Sequence, residues 1–252
     1  MDEQSLDQRL SQLNTSWTLL AQAHGGAPNI EHQAQTALIQ RYQKPVYRYL
    51  LGMLRNPDAA DEVFQEFALR MVRGDFHKAD ASKGKFRRYV KTSLIHLVHE
   101  YRQRQARRAT HDLDNAEEVA ESLAHEAASD QEFTANWRKT LLERAWEILD
   151  SQDRADSPPY ALALRLRTEK PDLSNGALVA ELNNRLPGDR AVTEVALRKI
   201  LQRARESFTE ALLDEIAHSM QTHSLDDLEQ EVIDLGLQVY CAKAIEKRRS
   251  GG

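Results

Sequence analysis

FRRYVKTSLIHLVHEYRQRQARR, residues 86–108, is the stretch on which the reading of the fold turns. Phe86, Tyr89, Val90, Leu94, Leu97, Val98 and Tyr101 recur at helical spacing and mark one apolar face. Arg87, Arg88, Lys91, Thr92, Ile95, His99 and Arg102 fall on the remaining surface. From Lys83 to Arg108 there are nine Lys and Arg (Lys83, Lys85, Arg87, Arg88, Lys91, Arg102, Arg104, Arg107, Arg108) against one acid, Glu100. The segment predicts an amphipathic helix with one face in a core and a cationic face outside it.

That concentration of charge is unusual for this chain. Over 252 residues there are 34 Lys and Arg and 39 Asp and Glu, a formal charge of −5. The balance reverses in residues 111–132, where eight acids (Asp112, Asp114, Glu117, Glu118, Glu121, Glu126, Asp130, Glu132) meet no Lys or Arg. With few large apolar side chains to bury, this stretch reads as an acidic linker, partly helical or disordered. Hydrophobic residues make up 41% of the chain, enough for one large or two small cores. Only 7 Pro and 10 Gly interrupt it, and no alternating Val/Ile/Thr run is present, so an all-α fold is expected.

The lone cysteine, Cys241, excludes an internal disulfide framework and cysteine-rich zinc sites. It fits a reducing cytoplasm. The N-terminal MDEQSLDQRLSQLN has no apolar core and does not read as a signal peptide. Apolar runs are only a few residues long, so no membrane span is expected.

Other helices follow from the same periodicity. Residues 5–24 carry Leu6, Leu10, Leu13, Trp17 and Leu20. Residues 31–54 form a second helix, with Pro45 as a candidate kink or interruption. Residues 58–73 form a third, capped by Asn56 or Asp58, with Pro57 in its first turn. It buries Val63, Phe64, Phe67, Ala68 and Met71 and shows Asp61, Glu62, Gln65, Glu66 and Arg70 on its other face. A second helical unit begins near Phe133. It continues through helices at 160–167 and 177–186, a long helix capped by Thr193 and reaching Ser219, and a single last helix at about 224–246.

No catalytic constellation emerges. HLVHE, residues 96–100, is not H-E-x-x-H, and its histidines are three apart rather than four. No P-loop, G-x-G-x-x-G or G-x-S-x-G is present. The expectation is a non-enzyme with neither cofactor nor metal. Nucleic-acid binding has more support. A basic helix containing aromatics, beside a loop with Lys78, Lys83 and Lys85, is a footprint for phosphates. Residues 177–206, ALVAELNNRLPGDRAVTEVALRKILQRARE, have the shape of a helix-turn-helix. Its second helix exposes Thr193, Glu194, Arg198, Lys199, Gln202, Arg203 and Arg205, types able to reach base edges or phosphates.

The order of these motifs resembles bacterial RNA polymerase sigma factors of the sigma-70 family, extracytoplasmic-function type. PVYRYLLGMLRNPDAADEVFQEFALRMVRG is similar to regions 2.1 and 2.2, whose core D-A-E-D-x-x-Q-E-x-F appears as DAADEVFQEFAL. FRRYVKTSLIHLVHEYRQRQARR is similar to regions 2.3 and 2.4, with EYRQR for the D/E-Y-x-R-R end and His96 where the family often has Asn. TSWTLLAQAHGG and DEIAHSM resemble the larger sigma-like proteins of planctomycete-type bacteria.

The resemblance implies five parts: an N-terminal helical extension (1–30), a region 2-like bundle (31–108), the acidic linker (109–132), a region 4-like helix-turn-helix unit (133–220), and a C-terminal helix and tail (221–252). It implies docking of Asp61, Glu62, Gln65 and Glu66 on the β′ clamp of core polymerase, with a further contact to the β flap. It assigns Lys83, Lys85, Arg87, Arg88, Lys91, His96, His99, Arg102 and Arg104 to the −10 element. Thr193, Glu194, Arg198, Lys199, Gln202, Arg203 and Arg205 go to the −35 element. An anti-sigma factor or a kinase is a further candidate partner. The rival readings are a sigma-like regulator that binds duplex DNA alone, and a helical adaptor or RNA-binding protein. The last helix would pack on the region 4-like unit, regulate it or bind a partner, and packing is the preferred reading.

Overall fold

The computed structural model describes residues 28–73, 86–109, 116–154, 157–187, 191–220 and 224–250. The expected helix at 5–24 and the loop lysines Lys78, Lys83 and Lys85 lie outside the described residues. Within the described residues the chain is all-α, with no strand. The helices are α1 (Pro28–Leu54), α2 (Pro57–Arg73), α3 (Phe86–Ala109), α4 (Ala116–Gln152), α5 (Tyr160–Glu169), α6 (Asn175–Arg185), α7 (Glu194–Ala217), α8 (Leu225–Asp234) and α9 (Gln238–Ser250).

Local chemistry explains most boundaries. The chain leaves α1 through Arg55, at φ 49°, and re-enters helix at once, because the Asn56 side chain accepts from the Ala59 N–H at 3.1 Å. Ser174, Thr193 and Ser224 cap α6, α7 and α8 in the same way. The α5 N-terminus follows Pro159, which offers no side-chain cap. Asp153 supplies one from a distance, accepting from the Ala161 and Leu162 N–H groups, both at 3.0 Å. Pro45 does not interrupt α1, which runs through it.

Two elements differ from the sequence expectation. The single last helix is two, broken at Gly236, which adopts φ 66°. The Gly236 N–H donates to the Ile233 carbonyl at 2.8 Å and the Leu237 N–H to that of Val232 at 2.9 Å, the paired bonds of a glycine-terminated helix. The acidic stretch from Ala116 onward is helical and continues without a break through Phe133 to Gln152.

The core does not divide at residues 133 and 220. One large cluster joins α1, α2 and α3 to the middle of α4, the C-terminal half of α7, and the α8–α9 hairpin. Its centre is aromatic. Trp137 stacks on Tyr42 with ring centroids 5.0 Å apart, Tyr42 meets Phe86 at 4.9 Å, and Phe133 meets Tyr49 edge-on at 5.0 Å. A smaller cluster joins α5, α6 and the N-terminal half of α7. Leu149, Ala161, Leu164 and Ala204 pack between the two. Helix α7 therefore serves both clusters, and α4 joins the larger one to the group between them.

Polar contacts fix α1, α4 and α7 together. Arg41 donates to Glu215 at 2.5 Å, Arg144 lies 3.5 Å from the same carboxylate, and Arg144 also donates to the Arg41 carbonyl at 2.8 Å. His218 sits beside this group, its Nδ1 2.6 Å from the Asp214 carbonyl. Burial, and then the Arg41 charge, hold its pKa below the usual imidazole range. An unfolded histidine takes up a proton near about pH 6.5, and the folded one resists it. Between those two values the unfolded chain binds more protons. Stability is therefore complete above the unfolded value and falls as pH drops through that window. His218→Gln should flatten this part of the profile in urea titrations at a series of pH values. An unchanged slope would contradict the assignment.

Candidate functional site

The first candidate surface lies on α3. Phe86, Val90, Leu94, Leu97 and Val98 are buried in the large cluster, as the periodicity predicts. Opposite them, Arg88, Thr92, His96, His99, Gln103 and Arg107 are exposed at steps of three and four, forming one line along the helix. Gln103 and Arg107 were not among the expected contacts. Continuing the helical step from His96 and His99 would have reached them.

The other expected contacts on α3 are placed differently from one another. Arg87 is buried, donating from Nε to Glu231 Oε1 at 3.0 Å and from Nη1 to Thr134 Oγ1 at 3.1 Å. It belongs to an internal contact in this structure and not to the exposed line. The cause is the α8–α9 hairpin, which covers the first turn of α3. Arg88 remains exposed but has Asp234 at 3.5 Å. Lys91 is half-buried at the edge of a cleft lined by Arg87, Arg88, Thr92, Thr134 and Asp234. Arg102 donates to the Met53 carbonyl at 3.0 Å, at the C-terminal end of α1, where a cation is favoured. Arg104 lies 3.7 Å from Glu62.

Tyr89 and Tyr101 pack against the core, and burial pushes the Tyr89 hydroxyl up to about 12. Glu100, the one acid of the basic segment, is gripped by Arg70 through contacts of 2.5 and 3.3 Å. Those hydrogen bonds hold its carboxyl below the usual range. Its charge is thereby offset by a partner on α2, and the outer face of α3 stays cationic.

The second surface is the outer face of α2. Asp61, Glu62 and Gln65 are exposed, and Glu66 is half-buried. Asp61 accepts from the Tyr47 hydroxyl at 2.6 Å, and Glu66 accepts from Arg70 at 2.8 Å. Leu69 and Val72, both exposed, carry the same side of the helix toward its C-terminus.

The third surface is α6–α7. Its long turn is pinned by one amide: Asn183 donates to the Val192 carbonyl at 3.0 Å and accepts from the Val192 N–H at 2.8 Å. Leu178 and Leu182 pack on Leu197 and Leu201, which sets the two helices against each other. Glu194, Arg198, Lys199, Gln202, Arg203 and Arg205 are exposed. The Thr193 hydroxyl is engaged as the α7 cap, accepting from the Ala196 N–H at 3.2 Å. Gln202 donates to Glu206 at 3.0 Å, and Glu194 lies 4.0 Å from Arg198. Arg198 and Arg205 line an open depression with Ser174 and Asn175 at the N-terminus of α6. Among the described residues no cluster of His, Cys, Asp and Glu is arranged to hold a metal, and no helix is long and apolar enough to cross a membrane.

Residues 38–108 match the family described as sigma-70 region 2. The match runs from the middle of α1 to the last turn of α3 and so contains the first two surfaces. No curated protein and no solved structure matches the chain.

Proposed function

We propose that this chain, whose residues 38–108 match sigma-70 region 2, is a sigma-70 family promoter-specificity subunit of the extracytoplasmic-function type. Sigma-70 region 2 implies core RNA polymerase and promoter DNA as partners. The observation that carries the finer reading is the division of labour inside the matched segment: α2 turns carboxylates outward and α3 turns cations outward, on one shared core. The α2 carboxylates would steer the chain onto a basic surface of core polymerase, the β′ clamp in this reading. Along α3, Arg88, Lys91 and Arg107 would hold phosphates while His96, His99 and Gln103 face the opened −10 strand.

The α6–α7 unit would take duplex DNA at the −35 element. Arg198, Lys199, Gln202, Arg203 and Arg205 suit base edges and phosphates. The depression that Arg198 and Arg205 share with the α6 N-terminus suits a backbone phosphate. In this reading the region 4-like unit expected over residues 133–220 would be carried by α5, α6 and α7, with the acidic part of α4 as the connection.

The test is reconstitution. Core bacterial polymerase with this chain should initiate at a subset of promoters where core alone does not. Asp61→Lys with Glu62→Lys should weaken core binding at least about tenfold, since like charges juxtaposed at an interface cost upwards of a kcal/mol. Its unfolding midpoint should stay near wild type because both residues are exposed. Wild-type core affinity in this variant would remove α2 from the docking surface. A chain that fails to bind core at all would overturn the function.

A further inference from the structure

We infer that the α8–α9 hairpin is an intramolecular latch that covers the N-terminal end of the basic helix and must lift for that end to meet DNA. The inference rests on the promoter reading above.

Charge is the first support. Within ten residues α8 carries Asp226, Asp227, Glu229, Glu231 and Asp234. Two of these acids face α3. Glu231 takes Arg87 in a contact whose side chains are 8% and 1% exposed, and Asp234 stands 3.5 Å from Arg88. A DNA phosphate offers what these carboxylates offer, negative charge and acceptor oxygens. Hairpin and nucleic acid are therefore alternative occupants of the same two guanidinium groups.

The attachment of the hairpin is the second support. On one side it is bound firmly to α7. Both α8 and α9 pack along α7, far more extensively than on α3, and Arg248 reaches Glu210 at 2.5 Å and Asp214 at 2.9 Å. On the side of the basic helix its named polar ties are Arg87–Glu231 and Arg88–Asp234, with Arg138 donating to the Leu235 carbonyl at 3.1 Å from α4. This asymmetry lets the hairpin travel with α7 when α3 is released. The Arg87–Glu231 pair is desolvated on both sides, so its net stabilisation is small against rival pairing with a phosphate. The covered end of α3 also adjoins the cleft lined by Arg88, Lys91 and Thr92, through which a strand would enter.

The test uses the full chain with Cys241→Ser and spin labels on Thr92→Cys and Ile233→Cys, both exposed positions. A single short distance is expected in the free protein, and a longer one in the complex with core polymerase and promoter duplex. In parallel, Asp234→Lys is compared with Asp226→Lys, the same charge change at the end of α8 where Asp226 pairs with Arg249. Asp234→Lys should tighten promoter binding by roughly fivefold more than Asp226→Lys, the size of one surface ion pair. The latch is overturned by a long distance in the free chain, by an unchanged distance in an initiating complex, or by equal effects of the two lysines. Failure of every form to bind promoter DNA with core polymerase would overturn the promoter reading itself. The short distance in the free protein would then remain, so the two failures are distinguishable.

Discussion

Glu231→Ala is expected to lower the unfolding free energy by about 3–5 kcal/mol, the cost of removing one partner from a buried ion pair. Arg87 and Glu231 are 144 positions apart, and both are buried. Without the carboxylate, the largely buried Arg87 guanidinium keeps its hydrogen bond to the Thr134 hydroxyl but loses its charged partner. Urea unfolding followed by far-ultraviolet circular dichroism would measure the loss. The double variant Arg87→Leu with Glu231→Leu should recover most of it, because apolar side chains of similar volume remove both desolvation penalties together. A single-variant loss below about 1 kcal/mol, the range of exposed pairs, would mean that water reaches this contact.

Trp137→Ala should cost a similar amount, about 3–5 kcal/mol, by emptying the centre of the large cluster. Trp137 is among the largest fully buried side chains and touches the rings of both Tyr42 and Phe133. Through Tyr42 it supports Phe86 at the start of α3, so the loss should loosen the basic helix as well as α4. The indole N–H is buried and has no acceptor among the described residues. Trp137→Phe drops that unsatisfied donor while keeping an aromatic ring, and should lose less than half as much as alanine. Equal losses in the two variants would show that the indole volume alone decides the stability here.

Legibility in the sequence followed physical range. The apolar stripe of α3 was readable because helical period is a local property, and Phe86, Val90, Leu94, Leu97 and Val98 are buried while Tyr89 packs half-buried beside them. The Asn56 and Thr193 caps were readable for the same reason: a side chain one turn from its partner needs no tertiary knowledge. Arg87 was not readable. Its position on α3 looks like that of Arg88, and only the return of the chain at Glu231 distinguishes them. Arg102 likewise looks like a free cation until α1 ends beneath it at Met53. The break in the last helix was signalled by Gly236 between two leucines, but an isolated glycine inside an amphipathic pattern is weak evidence without its φ. For the acidic stretch the sequence left helix and disorder both open, because charge density argues against burial and says nothing against helix; it is helical from Ala116.

The two long helices that link the clusters, α4 and α7, have a thermodynamic consequence. Unfolding α5 and α6 strips the partners from Leu197, Ile200 and Leu201, and the same helix, further along, holds Leu212 and Ile216 in the larger cluster. Melting the larger cluster in turn releases Trp137 and Leu141, on the helix whose Leu149 packs with Ala161 and Leu164 of α5 in the group between the clusters. Neither cluster can therefore lose its structure without fraying a helix that the other requires. The hydrophobic clusters of the described residues should therefore behave as one cooperative unit, so that local opening is confined to segments outside this pair of helices.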